Sequence, residues 1–243
     1  MNRLTIVIPV YNEAGNIKTA LDRIEAQVNI PREILIVYDM EEDTTVPVVR
    51  EISGSYSNPV HLLKNKYGRG VLYAIKTGLE EARGEFVIVT MADLSDPPEI
   101  MNDMYAKTVN ENADLVCASR YMKGGKQYGG PFLKGLFSRV AGLSLHVLTN
   151  IPTHDISNSF KMYRKSMLDT IGIESKGGFE IGMEITVKAF IAGFKISEVP
   201  TAWHDRSDGQ SNFKLWKWLP NYLHWYWLCV KCKWSGKVKN NKQ

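Results

Sequence analysis

The sequence predicts an α/β fold: a mostly parallel, Rossmann-like sheet flanked by helices, with an amphipathic C-terminal helix. Three observations lead there. Short buried apolar runs alternate with amphipathic stretches at the spacing of β-α-β units, which implies a mostly parallel sheet with right-handed crossovers. The run Glu85 to Thr90 reads as a buried strand and passes directly into Met91-Ala92-Asp93-Leu94-Ser95-Asp96, then Pro97-Pro98. Carboxylates at the carboxyl end of such a strand lie where open α/β sheets bind ligands, and two acids around one turn suit a divalent cation on a phosphate-bearing substrate. Finally, the chain ends in a tryptophan- and lysine-rich stretch with helical periodicity.

Taken in order, Leu4 to Val10 is the first strand, rich in β-branched residues. Glu13 to Gln27 is helical, with Ile17, Ala20, Leu21 and Ile24 on one face. Ile34 to Val37 and Val60 to Leu63 are the next strands. Gly70 to Ala82 is a helix with Gly84 as its expected stop. Phe86 to Val89 is the fourth strand. Pro98 to Val109 is a helix entered through proline. Leu115 to Ala118 is the fifth strand. Phe132 to Thr149 is a long amphipathic stretch carrying Lys134, Arg139 and His146. Phe160 to Tyr163 and Lys195 to Val199 are further strands, with a helix from Phe179 to Ala192 between them. From Trp216 onward, Leu219, Leu223, Tyr226, Trp227, Val230 and Trp234 fall on one helical face, with Pro220 expected at a helix start.

The 243 residues suit one large domain, and the 44% apolar share suits a globular core. Thr5-Ile6-Val7-Ile8 is too short for a signal peptide, and no run reaches the roughly 18 apolar residues of a membrane span. The three cysteines, Cys117, Cys229 and Cys232, lack the second pair that a zinc site needs, so a reducing, cytoplasmic compartment is expected. The net charge of +4 hides an asymmetry. From Gly209 onward there are seven lysines and no acid, so the rest of the chain carries −3; five of the six tryptophans lie in the same tail. Lysine with tryptophan and no spanning length is the pattern of a surface lying on a membrane, although plain packing or single-strand nucleic-acid binding would use the same residues. The membrane reading is the favoured one, with no nucleic-acid partner. The division expected is a catalytic domain over 1–212 and a membrane-interfacial tail over 213–243.

Several loops gather candidate site residues at the carboxyl edge. In Pro9-Val10-Tyr11-Asn12-Glu13, Tyr11 can stack on a base and Glu13 can accept from base or ribose hydroxyls; Asn12 capping the following helix is the structural alternative. Asp39, after the second strand, occupies a position that often holds a ribose or base. In Asn65-Lys66-Tyr67-Gly68-Arg69-Gly70, the glycines and the helix N-terminus suit a phosphate, with Lys66 adding charge; a simple turn fits as well. Asp93 and Asp96 are the candidate metal ligands. Arg120, after the fifth strand, can take a phosphate by a two-pronged bond. Asp155 lies in an acid- and hydroxyl-bearing segment running from His154 to Lys161. The loop from Trp203 to Ser211 carries Arg206 and reads as a lid. His154 and His204 fit either metal ligands or structural hydrogen-bonding residues.

These segments together resemble family 2 glycosyltransferases of the GT-A fold, closest to the polyprenyl-phosphate group typified by dolichol-phosphate mannose synthase. The likeness runs from about Leu4 to Ser211. It rests on Ile8-Pro9-Val10-Tyr11-Asn12-Glu13, Gly68-Arg69-Gly70, Ala92-Asp93-Leu94-Ser95, Ser119-Arg120-Tyr121, Ser159-Phe160-Lys161-Met162-Tyr163, Glu198-Val199-Pro200 and Asp205-Arg206. The resemblance implies an inverting transfer of a hexose from a nucleotide sugar of GDP-mannose or UDP-glucose type to a polyprenyl phosphate. Pro9, Tyr11, Glu13 and Asp39 would bind the donor nucleotide. Asp93 would hold a divalent metal, Mg or Mn, on the diphosphate. Arg120 and Arg139 would receive the acceptor phosphate, and Arg206 would balance the diphosphate charge. The protein would sit peripherally at the cytoplasmic face of a membrane, and a homo-oligomer is compatible with this picture.

The sequence departs from the family at Met91, where the first aspartate of Asp-x-Asp is usual. It departs again at Tyr38 with the Met40-Glu41-Glu42 stretch, at Asn158 for a glycine, and at Lys161 for an arginine. A thioether is a poor ligand for a hard cation. Two rival readings follow. Transfer to a saccharide hydroxyl would need a base, with Asp155 or Glu184 as candidates. A non-catalytic nucleotide-sugar-binding protein would explain Met91 and Tyr38.

Overall fold

The computed structural model describes residues 3–205 and 215–239. Seven strands form one sheet: β1 (Leu4–Pro9), β2 (Arg32–Tyr38), β3 (Val60–Lys64), β4 (Phe86–Val89), β5 (Leu115–Ser119), β7 (Lys161–Arg164) and β8 (Ile196–Pro200), in the order β3-β2-β1-β4-β7-β5-β8. All pairings are parallel except those of β7, which runs antiparallel to β4 and β5. The chain moves outward from β1 to β3, then returns to place β4 on the other side of β1. That reversal makes a crevice at the carboxyl ends of β1 and β4, the usual ligand position in such sheets.

The strands are buried on both faces and alternate between two apolar clusters. Ile6, Ile8, Ile36 and Ile88 face one cluster with helices α1 (Ile17–Gln27), α2 (Thr45–Ile52) and α4 (Ile100–Asn110). Val7, Val37, Val87 and Val89 face the other with α3 (Val71–Glu81) and α7 (Ile181–Ile191). The period of two and the long apolar runs are what a sheet covered on both faces requires.

The described part of α8 (Leu215–Trp234) belongs to the fold. Trp225, Cys229 and Val230 are buried in the second cluster, with Tyr222 and Tyr226 packed against it. The expected boundary at 212 therefore cuts off a helix whose inner face is core. The expected single apolar face is also corrected. Val230 points inward while Leu223, Trp227 and Trp234 are exposed, because spacings of three and four from Tyr222 select the buried stripe. The helix starts at Leu215, so Pro220 lies inside it and not at its start.

Helix α5 (Phe132–Thr149) has the expected bounds and exposes Phe132, Leu133, Leu136, Phe137 and Val140. Its other end lies near α8, where the Tyr226 and Ser144 hydroxyls meet at 2.9 Å and the Trp234 indole donates to the Leu148 carbonyl. Among the described residues, no helix is long and apolar enough to cross a membrane. The elements not foreseen include α2, the short α6 (Lys165–Thr170), and the two-stranded ribbon of β6 (Lys126–Tyr128) with β9 (Ala202–His204). Gly84 is not the stop of α3, which ends at an extended Ala82. A side chain at Gly84 would meet the Thr5 backbone nitrogen at 2.7 Å, so the position serves close approach to β1.

Candidate active site

At the carboxyl edge, hydrogen bonds tie the loops after β1, β2 and β3 together and join the loop after β5 to the segment before β7. The loop after β1 turns at Asn12, whose φ of 57° suits asparagine better than most residues. Its amide donates to both oxygens of Asp43, and the Glu13 amide donates to Thr45 Oγ1 at 2.9 Å. Asp43 is buried and also accepts the Thr45 amide, at 2.8 Å. This residue is the link between the β1 and β2 loops. Its sequence signal was its place two residues before the start of α2 at Thr45. Tyr11 is 56% exposed and Glu13 is partly buried, with Glu13 accepting the Asn16 amide. Pro9 is buried as the last residue of β1.

Asp39 organises the glycine-rich loop. Its oxygens accept from Asn65 Nδ2 at 2.8 Å and from the Gly70 amide at 2.9 Å. Gly68 and Gly70 have φ of 95° and 128°, which L side chains rarely adopt. Asp39 thus already engages the amide that heads α3. Lys66 is placed differently from the expectation of a donor phosphate ligand. Its amide is close to Thr77, and its ammonium pairs with Glu81 near the far end of α3. The long side chain follows the helix away from the ligand edge.

The turn after β4 is the electrostatic centre. Leu94 has φ of 63°, rare for a branched apolar residue, and its carbonyl accepts from Arg23. Asp93 is partly buried and accepts from the Ser95 amide and hydroxyl. Asp96 is buried, and its Oδ1 has no hydrogen-bond partner among the described residues. Burial, reinforced by Asp93, pushes the Asp96 carboxyl up to about 7, against the opposing pull of Arg120. A buried carboxylate with an unmatched oxygen beside a second carboxylate is a poor arrangement for the protein alone and a suitable one for a hard cation. Met91 is no part of such a donor set, since it packs on the apolar cluster with Val89. Among the described residues, no group of three or more metal-ligating side chains is present. Two carboxylates would therefore depend on substrate oxygens to complete a coordination shell, as magnesium sites commonly do.

Arg120 corrects an expectation. Its Nε and Nη2 donate to the two oxygens of Asp155 at 2.7 and 2.9 Å, and Nη2 also reaches Ser138 and Ser157. The fork expected to hold a phosphate is occupied by a carboxylate. Burial disfavours the Arg120 charge, but Asp155 more than restores it, and the guanidinium pKa is raised overall. Asp155 is fully buried, yet Arg120 holds its carboxyl below the ordinary range. Arg120 accordingly supplies a fixed positive field near Asp96, while Arg139 is the exposed cation on α5 and its charge reaches Tyr121.

The two proposed bases are likewise engaged. Asp155 is bound to Arg120, and Glu184 accepts the Glu174 and Ser175 amides and Lys188. The departures at Asn158 and Lys161 are structural. Asn158 donates to the Ala118 carbonyl at 2.9 Å, and the buried Lys161 donates to the Ile156 and Asn158 carbonyls. Tyr38 donates to Glu41, which also pairs with Arg50 and Lys64. His154 is held by Glu198 at 2.6 Å and stacks on His146; His204 stacks on Tyr128. Neither histidine joins the two aspartates in a ligand group. The His204 amide donates to the Ser95 carbonyl, which pins the start of the expected lid to the Asp93–Asp96 turn. Arg206 itself lies outside the described residues.

The family model described as Glycosyl transferase family 2 matches residues 5–172. The chain belongs to glycosyl transferase family 2. Within that family it is 31% identical over 242 residues to a dolichol-phosphate mannosyltransferase of Pyrococcus furiosus, covering 97% of this chain and 65% of the relative. It therefore spans about two thirds of that relative's length. It is 30% identical over 218 residues to a polyprenol monophosphomannose synthase of Mycolicibacterium smegmatis, covering 86% and 80% of the two chains. A mannosyltransferase from Pyrobaculum calidifontis, solved with GDP-Man and Mn2+, superposes with a TM-score of 0.65 at 19% identity, over 86% of this chain and 58% of that one. The glycosyltransferase chain thus has the GT-A fold, with the switch-point crevice and the two-aspartate turn at its carboxyl edge.

Proposed function

We propose that this protein transfers a hexose, with inversion, from a nucleotide sugar to a polyprenyl phosphate at the cytoplasmic face of a membrane. The observation that carries the reading is the joint placement on α5. Arg139 is exposed there on the same helix as Phe132, Leu133, Leu136, Phe137 and Val140. A helix that offers a cation and an unpartnered apolar face suits a lipid phosphate, with charge for the head and apolar surface for the tail. Trp227 and Trp234 of α8 add exposed aromatic surface.

The state of the acids supports a phosphate acceptor. An ionised phosphate oxygen can attack the anomeric carbon while the bond to the nucleoside diphosphate breaks and its electron pair leaves with that group. No base is then required. Both candidate bases are already engaged in hydrogen bonds and ion pairs, which disfavours a sugar-hydroxyl acceptor. The main demand is stabilisation of the leaving diphosphate. A divalent cation held by Asp93 and Asp96 would supply Lewis-acid stabilisation of that charge. Arg120 contributes a preoriented positive field, and Arg206 would add a second positive charge. Tyr11, Glu13 and the Asp39-braced loop would bind the nucleotide. The names of the two relatives and the GDP-Man bound in the Pyrobaculum structure favour mannose as the sugar.

The test is a transfer assay with radiolabelled nucleotide sugars, a short polyprenyl phosphate, and manganese or magnesium. A lipid-soluble sugar phosphate is the expected product, made best from GDP-mannose. Donor binding without transfer to the lipid from any donor would overturn the reading and favour a non-catalytic role or a glycan acceptor.

A further inference from the structure

We propose that α8 is a positioning element for the acceptor side of the site, acting through Asn221 and the buried Glu180. This rests on the reading above, in which Arg139 on α5 serves the acceptor; Arg120 braces that helix by donating to Ser138 Oγ at 2.9 Å. Glu180 is fully buried just before α7. Its oxygens accept the Gly177 and Gly178 amides at 2.7 and 2.6 Å and the Asn221 side-chain amide at 3.2 Å. The turn is built against α8. A Cβ on Gly177 would overlap the Asn221 amide, and one on Gly178 would meet the Trp218 ring at 3.2 Å, while Phe179 packs edge-on against that ring.

From this turn, packing leads back to the site. The first turn of α7 lies against the segment before β7: a Cβ on Gly182 would be 3.6 Å from Lys161 Nζ and 3.7 Å from the Asn158 carbonyl oxygen. Lys161 and Asn158 in turn fix the loop that begins at Asp155, whose carboxylate orients Arg120. A second route is electrostatic. The Tyr222 phenol, one residue beyond Asn221, is pushed up by burial and by Glu180, and Arg120 pulls in the opposite direction. The fields of Glu180 and Arg120 thus meet at one side chain of α8. Such a chain of packed and hydrogen-bonded groups is a physical route for coupling. The outer face of the same helix exposes Leu223 and Trp227.

The experiment compares Asn221→Ala and Gly177→Ala with the unaltered chain. In transfer assays, each variant is expected to raise the KM for polyprenyl phosphate roughly tenfold while leaving the donor KM unchanged. By amide hydrogen exchange, each should speed exchange in 174–180 and also in 155–161. Donor and acceptor KM rising together, or neither changing, would overturn the inference. Faster exchange confined to 174–180 would overturn it too. An unaltered chain that transfers nothing to the lipid would refute the proposed function only, because the exchange arm still decides whether the helix positions the Asp155 segment.

Discussion

Removing the carboxylate of Asp155 is the perturbation that best separates its roles. Asp155 is fully buried, and the Arg120 side chain is only 11% exposed. The pair shares two bonds of 2.7 and 2.9 Å, and the Arg120 amide adds a third at 3.1 Å. Asp155→Ala leaves a buried guanidinium without its counter-charge, a loss of about 3–5 kcal/mol. For a chain of this length that lowers Tm by roughly 6–20 °C. Replacing both partners by apolar groups, Asp155→Leu with Arg120→Met, removes the unmatched charge. That double variant should recover most of the stability while transfer stays lost. The pH dependence has a defined sign. The folded carboxyl lies below its ordinary 3.8, so the pair's contribution is complete above that value and is lost as pH falls below it. The assay is urea unfolding of the single and double variants at pH 7 and in acid. If Asp155→Ala unfolds within about 1 kcal/mol of the unaltered chain, the charge-pair argument fails. If Asp155→Asn keeps full stability and loses only kcat, Asp155 is a general base instead.

Three further outcomes follow from the geometry. Asp43→Ala leaves the Asn12 and Thr45 amides without their shared acceptor; a stability loss of about 2–4 kcal/mol and a raised donor KM are expected by unfolding and kinetics. Asp93→Ala should abolish the thermal stabilisation given by Mn2+ and reduce transfer by about 100-fold or more, read by melting with and without metal and by product formation. Phe132→Asp with Val140→Asp, both on exposed positions of α5, should reduce pelleting with anionic vesicles while changing Tm little.

The sheet was legible because its strands are buried on both faces. Ile6, Ile36 and Ile88 announce themselves by apolar runs that no surface element would carry. The placement of candidate residues was legible where they sit at a strand end, as with Asp93 and Asp96 in one turn after β4. It was less legible where a polar residue binds another polar residue. Nothing local in Asp155 or Arg120 says that they face each other, since 35 positions separate them and only the antiparallel β7 brings them together. The Lys66 partner, Glu81, was illegible for the same reason: a long side chain can follow the helix as readily as the ligand edge. The helix α2 hid in a loop because Pro47 and an acidic lead-in resemble a turn, although proline is tolerated in the first turn. In α8, tryptophans spread around the helix made a single face hard to choose from periodicity alone.

The reversed strand β7 has a consequence for how this site tolerates change. A parallel strand delivers its last residue to the ligand edge, and the loop that follows can absorb an error in register. β7 instead enters the sheet from that edge, with Lys161 set opposite both Val89 and Cys117. The loop before it therefore inherits the strand's alignment. A slip by one residue would shift the incoming segment by about 3.3 Å and exchange the two faces of the strand. Substitutions deep within the β7 pairing can thus act on Asp155 and Arg120 without touching them. In a screen for lost activity such changes would cluster far from the crevice, along one short strand.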